Sequence, residues 1–148
     1  MTDYERCFAV IPNNDSISEV SDFLDNCMED FSIPMRVGYT LKVVTDEIYS
    51  NIVYYSGAKN AEILFRNEDD RVTLVFMDDG IPYNPMEAEE PDVTAGADER
   101  KIGGLGLFMV KKMAEDVQYE YTGAKNQMTV ILSKAAKKKK ISLEDFDI

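Results

Sequence analysis

No histidine occurs among the 148 residues, and that absence removes more chemistry than any other. Ser-His-Asp and Cys-His catalysis, histidine-ligated metals and phosphohistidine formation within the chain all fall with it. Any catalysis must rest on carboxylates, amides, lysines and backbone groups. Cysteine is scarce too: Cys7 and Cys27 stand far apart and match no zinc or redox spacing, so two reduced thiols are expected rather than a disulfide. No apolar run is long enough to span a bilayer, and the acidic, polar opening Met1-Thr2-Asp3-Tyr4-Glu5-Arg6 shows no secretory signal. The expectation is a cytoplasmic protein without a membrane partner. Gly-x-x-x-x-Gly-Lys-Ser/Thr is also missing, which excludes the P-loop solution.

Positive charge is in deficit: 16 basic residues face 28 acidic ones, a net of -12. Residues 134–148 hold five of the lysines and three acids, leaving 11 basic against 25 acidic residues in 1–133. Such a surface repels a nucleic-acid backbone and argues against DNA or RNA as the partner. At 45% hydrophobic and 30% charged, the chain has an ordinary soluble balance and the length for one cored domain. That domain is placed at 1–134. Residues 135–148, containing Lys137-Lys138-Lys139-Lys140, read as a charged, solvated or weakly ordered tail, with a docking peptide as the other reading.

What is present orders itself into alternating elements. Tyr4 to Ile11 mixes aromatic, β-branched and apolar residues and stops at Pro12, as a strand does. Asp15 or Ser16 caps a helix carrying Ile17, Val20, Phe23, Leu24 and Cys27 or Met28 at helical spacing. Pro34 opens a longer helix through Val37, Leu41, Val44, Ile48, Ile52 and Tyr55, closed by Gly57. Ala61–Arg66 and Val72–Met77 form a hairpin about the turn Asn67-Glu68-Asp69-Asp70. Residues 81–102, with Pro82, Pro85, Pro91 and Gly96, form a long loop of the kind that is usually functional or mobile. A helix from about Leu105 to Glu115 follows, then strands Val117–Tyr121 and Gln127–Ser133 around Gly123. This order predicts an α+β fold, a two-layer α/β sandwich whose mixed, mainly antiparallel sheet carries helices on one face.

Three segments carry chemistry. In Asp46-Glu47-Ile48-Tyr49-Ser50-Asn51, Glu47 and Asn51 are four apart, so they share a helix face one turn apart. A carboxylate there can accept a proton, and an amide oxygen can ligate magnesium without adding charge; a solvated polar pair has the same spacing. In Val75-Phe76-Met77-Asp78-Asp79-Gly80-Ile81-Pro82 a strand runs into two aspartates. One of these is suited to accept from an exocyclic amine, although Asp-Asp-Gly is also a common turn. In Lys101-Ile102-Gly103-Gly104-Leu105-Gly106-Leu107-Phe108-Met109-Val110, glycines without a Cβ enter a helix whose first N–H groups suit phosphate, as a plain loop-to-helix connection also does.

Together, in this order and spacing, the segments resemble the N, G1 and G2 boxes of the GHKL ATPase superfamily, over about Asn13 to Lys134. The resemblance implies the Bergerat ATP-binding fold, ATP and Mg²⁺. Asp78-Asp79-Gly80-Ile81-Pro82-Tyr83-Asn84-Pro85 and Gly104-Leu105-Gly106-Leu107-Phe108-Met109-Val110 look most like the bacterial serine-protein kinases that act as anti-sigma factors. On that resemblance Glu47 is the general base, Asn51 the magnesium ligand and Asp78 the reader of the adenine amine. Gly80 and Pro82 shape the pocket wall; Gly104, Leu105, Gly106 and Leu107 approach the phosphates, with Lys101 or Lys111 offsetting their charge. Thr129 supports the adenine site through its hydroxyl. Many members carry a histidine one turn after the box asparagine, where this chain has Tyr55. The implied activity is phosphoryl transfer from ATP to a serine of an anti-anti-sigma-like protein, sequestration of a sigma factor, or both, in a homodimer. A non-catalytic, nucleotide-dependent module that sequesters a regulator and a free-standing ATP hydrolase are the competing readings.

Overall fold

The computed structural model describes residues 4–85 and 104–135. Strand β1 (Glu5–Val10) is followed by helix α1 (Ser16–Asp30) and helix α2 (Met35–Asn51), which passes into a π-helical turn, Ile52–Ser56. Strands β2 (Ala61–Asn67) and β3 (Arg71–Asp78) come next, then helix α3 (Gly104–Met113) and strands β4 (Asp116–Thr122) and β5 (Lys125–Ser133). The five strands lie in the order β1-β2-β3-β5-β4, so β3 is central. Every pairing among them is antiparallel. The expected α+β architecture holds, with the sheet of the described residues purely antiparallel rather than mixed.

Period-two burial places the core. Asn126, Met128, Val130 and Leu132 of β5 are buried while their sequence neighbours are not. Ala61, Ile63 and Phe65 of β2 alternate in the same way. These residues join Leu24 of α1, Leu41, Val44 and Ile48 of α2 and Val110 of α3 in one core on the helical face. Each large apolar side chain so buried contributes about 1.5–3 kcal/mol relative to exposure, so the helices and the inner sheet face hold each other. Buried Ser16 and Tyr49 share a 2.7 Å hydroxyl–hydroxyl hydrogen bond that ties α1 to α2.

Local chemistry explains where the boundaries depart from expectation. The start of α1 is closed by Asn13: its Oδ1 accepts from Ser16 N at 2.9 Å, and Ser16 Oγ accepts from Asn13 N at 3.0 Å. Asp15, one of the two expected caps, makes no side-chain capping bond. Pro34 stands just before α2 with φ -57° and ψ 144°, outside the helix rather than in its first turn. The expected long helix changes pitch at Ile52, and Gly57, in the left-handed region at φ 67°, ends it. Residues 86–103, including most of the expected loop, and residues 136–148 lie outside the described residues.

Candidate functional site

The end of α2, the π turn and the open ends of β3 and β5 converge. A pocket of about 40 Å³ is lined by Ile48, Asn51, Ile52 and Ser56 on the helical side and Phe76, Asp78, Asn126 and Met128 on the sheet. Tyr119 of β4 and Tyr83 and Pro85, at the start of the 81–102 loop, complete it. Most of these groups are apolar or aromatic, with a carboxylate and two amides among them, the usual make-up of a small-molecule site. Its enclosed volume is below the several hundred Å³ of a ligand-filled cleft, and Tyr83 and Pro85 are the lining residues nearest the long loop.

A widened turn positions the helical wall. π-Helical turns are frequent at functional sites, and here one brings Ser56 against the strand exit. Ser56 Oγ donates to Ile52 O at 2.8 Å, and Ser56 O accepts from Ile81 N at 2.9 Å. Gly80 makes that approach possible. A Cβ there would lie 2.3 Å from Ser56 O and 2.8 Å from Asp78 Oδ1, distances no side chain tolerates. Glu47, half-buried, precedes Asn51 by one turn on the same face of α2.

The two adjacent aspartates have opposite environments. Asp78 is 5% exposed; its Oδ1 accepts from Gly80 N at 2.9 Å and from Asn126 Nδ2 at 3.1 Å. Burial pushes its carboxyl above the usual carboxylate range, against those hydrogen bonds, which favour the ionised form. Asp79 is a connector. Its Oδ1 accepts from Lys59 N at 2.8 Å and Asn60 N at 3.0 Å, and its Oδ2 from Asn60 Nδ2 at 3.1 Å. The Asn60 bonds above all hold its carboxyl below the ordinary value. Of the Asp-Asp pair, one faces the pocket and the other staples β3 to the segment entering β2.

Several expected residues meet here and others do not. Asn51 and Asp78 line the pocket, and Gly80 stands outside the lining, against Ser56 and Asp78. Pro82 is exposed and outside the lining, between Ile81, whose carbonyl Asn126 holds at 2.8 Å, and Tyr83. Thr129 does not belong to this pocket: it pairs with Val75 and Gln118, one position past Met128, so alternation turns it to the opposite sheet face. Gly104, Leu105, Gly106 and Leu107 form the first turn of α3. Lys101 lies outside the described residues. Tyr55, about half exposed, sits on the π turn away from the lining. Sequence reasoning missed Asn126, Tyr119, Tyr83 and Ser56. The available signal was the strand phase, since a buried Met128 puts Asn126 on the same face, opposite Asp78.

Comparisons with known proteins agree with this fold. Residues 11–134 match the family described as the histidine kinase-like ATPase domain. Over 99 residues the chain is 25% identical to the serine/threonine-protein kinase BtrW of Bordetella bronchiseptica, covering 64% of this chain and 70% of that protein. Over 111 residues it is 29% identical to the serine-protein kinase RsbW of Staphylococcus epidermidis, covering 68% of this chain and 67% of that one.

Proposed function

The chain belongs to the histidine kinase-like ATPase domain family, and on that basis we propose that it is an ATP-dependent protein serine kinase of the anti-sigma factor type. Two of its relatives bear the names of serine or serine/threonine kinases. The observation that carries the reading is the buried Asp78 carboxylate beside an apolar pocket that Asn51 also lines. Adenine fits such a site: a flat apolar body with an exocyclic amine for the carboxylate to accept from. Asp78 and the sheet bind the base, and the first turn of α3 presents backbone N–H groups to the phosphates.

Magnesium fits the donor set. Asn51 lines the pocket and carries an amide oxygen, so it would hold the ion together with phosphate oxygens. Bound there, the ion offsets phosphate charge. Glu47 orients the serine hydroxyl of a small anti-anti-sigma-like partner and takes its proton. The serine oxygen forms a bond to the γ-phosphorus as the bond to the β,γ-bridging oxygen breaks, releasing ADP. Sequestration of a sigma factor by a homodimer is the accompanying output.

Calorimetry with ATP and Mg²⁺ followed by label transfer from γ-labelled ATP to the partner tests the reading. Glu47→Gln is expected to retain ATP binding and to lower transfer by about 10²–10⁴-fold. Transfer at the wild-type rate by that variant overturns the base assignment. Tyr55, outside the pocket where many members have histidine, favours a second reading: nucleotide-dependent sequestration without turnover. Co-elution with the partner in ATP, with no label transferred, would select it.

A further inference from the structure

Asn126 is 6% exposed, and hydrogen bonds reach it from three directions. Its Nδ2 donates to Asp78 Oδ1 at 3.1 Å and to Ile81 O at 2.8 Å, with Gly80 O at 3.5 Å. Its Oδ1 accepts from Tyr83 N at 3.1 Å and from the Tyr119 hydroxyl, which itself accepts from Tyr83 N at 3.2 Å. The arrangement has one consistent orientation. Tyr83 N can only donate, so the amide oxygen must face it; the carboxylate and the carbonyl can only accept, so the amide nitrogen must face them. Reversing the amide breaks the contacts to Asp78, Ile81 and Tyr83 at once; only the Tyr119 hydroxyl, which can donate or accept, could still bond it.

We propose that Asn126 is a positioning residue for base discrimination: it sets the plane of the Asp78 carboxylate and holds the 80–83 segment against the pocket. The inference rests on the nucleotide reading above. Gly80 N and Asn126 Nδ2 both meet Oδ1, so the carboxylate cannot turn freely about its Cβ–Cγ bond. An exocyclic amine therefore meets an acceptor already aimed, which is how a buried polar site rejects a base lacking that donor. A purine with a 6-oxo group in place of the amine presents an acceptor to the carboxylate and is refused. Without Asn126 the carboxylate keeps its charge and its bond from Gly80 N but loses a side-chain donor that helps fix its plane. Adenine then loses more than the 6-oxo base does, because only adenine gained from the alignment.

The test measures ATP and inosine triphosphate affinities by calorimetry, in magnesium, for the wild-type protein, Asn126→Ala and Asn126→Ser. The wild type is expected to favour ATP, and the variants to reduce the ATP-to-inosine-triphosphate ratio about tenfold, as loss of one hydrogen bond to a charged group implies. A purely structural role would weaken both nucleotides alike. Unchanged ratios in folded variants, with the wild type discriminating, overturn the positioning role alone. A wild type that binds neither nucleotide overturns the nucleotide reading and this inference with it. Should neither variant fold, the wild-type Asn126 side-chain amide resonances decide. They are expected to shift with ATP and much less with inosine triphosphate, and equal shifts overturn the proposal.

Discussion

At the scale of single residues, adjacent identical side chains do different work because their surroundings differ. Burial raises the Asp78 carboxyl above its unfolded value. Its contribution to stability is therefore fully present below the ordinary aspartate pKa of about 3.9 and is lost as pH rises through the raised folded value. At neutral pH the ionised form is a stability cost kept for binding. Asp78→Asn keeps an oxygen to accept from Gly80 N and Asn126 Nδ2 and removes the charge. Its melting temperature should exceed that of wild type at pH 7, and the gap should close as pH falls towards 4, while ATP affinity drops about tenfold or more. Thermal melts across pH 4–7, with calorimetry at pH 7, check both halves; a variant less stable at pH 7 would show that burial is not the dominant influence. Asn51, Asp78 and Gly80 were legible from sequence because three segments in order and spacing resemble one family's boxes; each segment by itself reads equally as a polar helix pair or a turn. Asn126 was not, since an asparagine two places beyond a turn reads as turn chemistry. The Thr129 assignment failed by one position because strand phase, which decides facing, depends on pairing partners far away in sequence.

At the scale of elements, one helix end and one hairpin position lack the glycine such places prefer. After α1, Ser32 N donates to Glu29 O at 3.2 Å and Ile33 N to Met28 O at 2.9 Å, the paired bonds of a Schellman motif. Its left-handed position is held by Ser32 at φ 52°, where glycine is usual. The β4–β5 turn has Gly123 at φ 59° and Ala124 at φ 62°, both central residues left-handed as in a type I′ hairpin. A Cβ in that region costs roughly 1 kcal/mol. Ser32→Gly and Ala124→Gly should therefore each raise stability by about 0.5–1 kcal/mol in urea titrations, with additive effects because the sites share no partner. Destabilisation by either would mean that lost side-chain contacts outweigh the relieved strain. Most elements were legible from periodicity and Gly57 from its cap position. The π turn was not, because Ile52 and Tyr55 continue the α-helical spacing of α2. Only the approach of Ser56 to Gly80 distinguishes the two pitches, and that contact spans 24 residues.

At the scale of the whole molecule, the net charge of -12 sets long-range repulsion against local attraction. The attractive side is weak. Lys42–Asp25 and Arg66–Glu5, both at 2.7 Å, are partly exposed, as are the Arg71 pairs with Glu68 and Asp70. Exposed pairs of this kind contribute about 0–1 kcal/mol each. Repulsion, by contrast, sums over the whole acidic surface and destabilises the compact state. Raising ionic strength from about 0.01 M to about 0.15 M shortens the screening length from roughly 30 Å to roughly 8 Å. That removes most of the distant repulsion while leaving contacts under 4 Å largely intact. The melting temperature should therefore rise by a few degrees over that range, equally in sodium and potassium chloride, since screening does not depend on which monovalent ion supplies it. A fall in melting temperature would show that the surface pairs outweigh the summed repulsion, and a rise confined to one cation would point to a bound ion in place of screening.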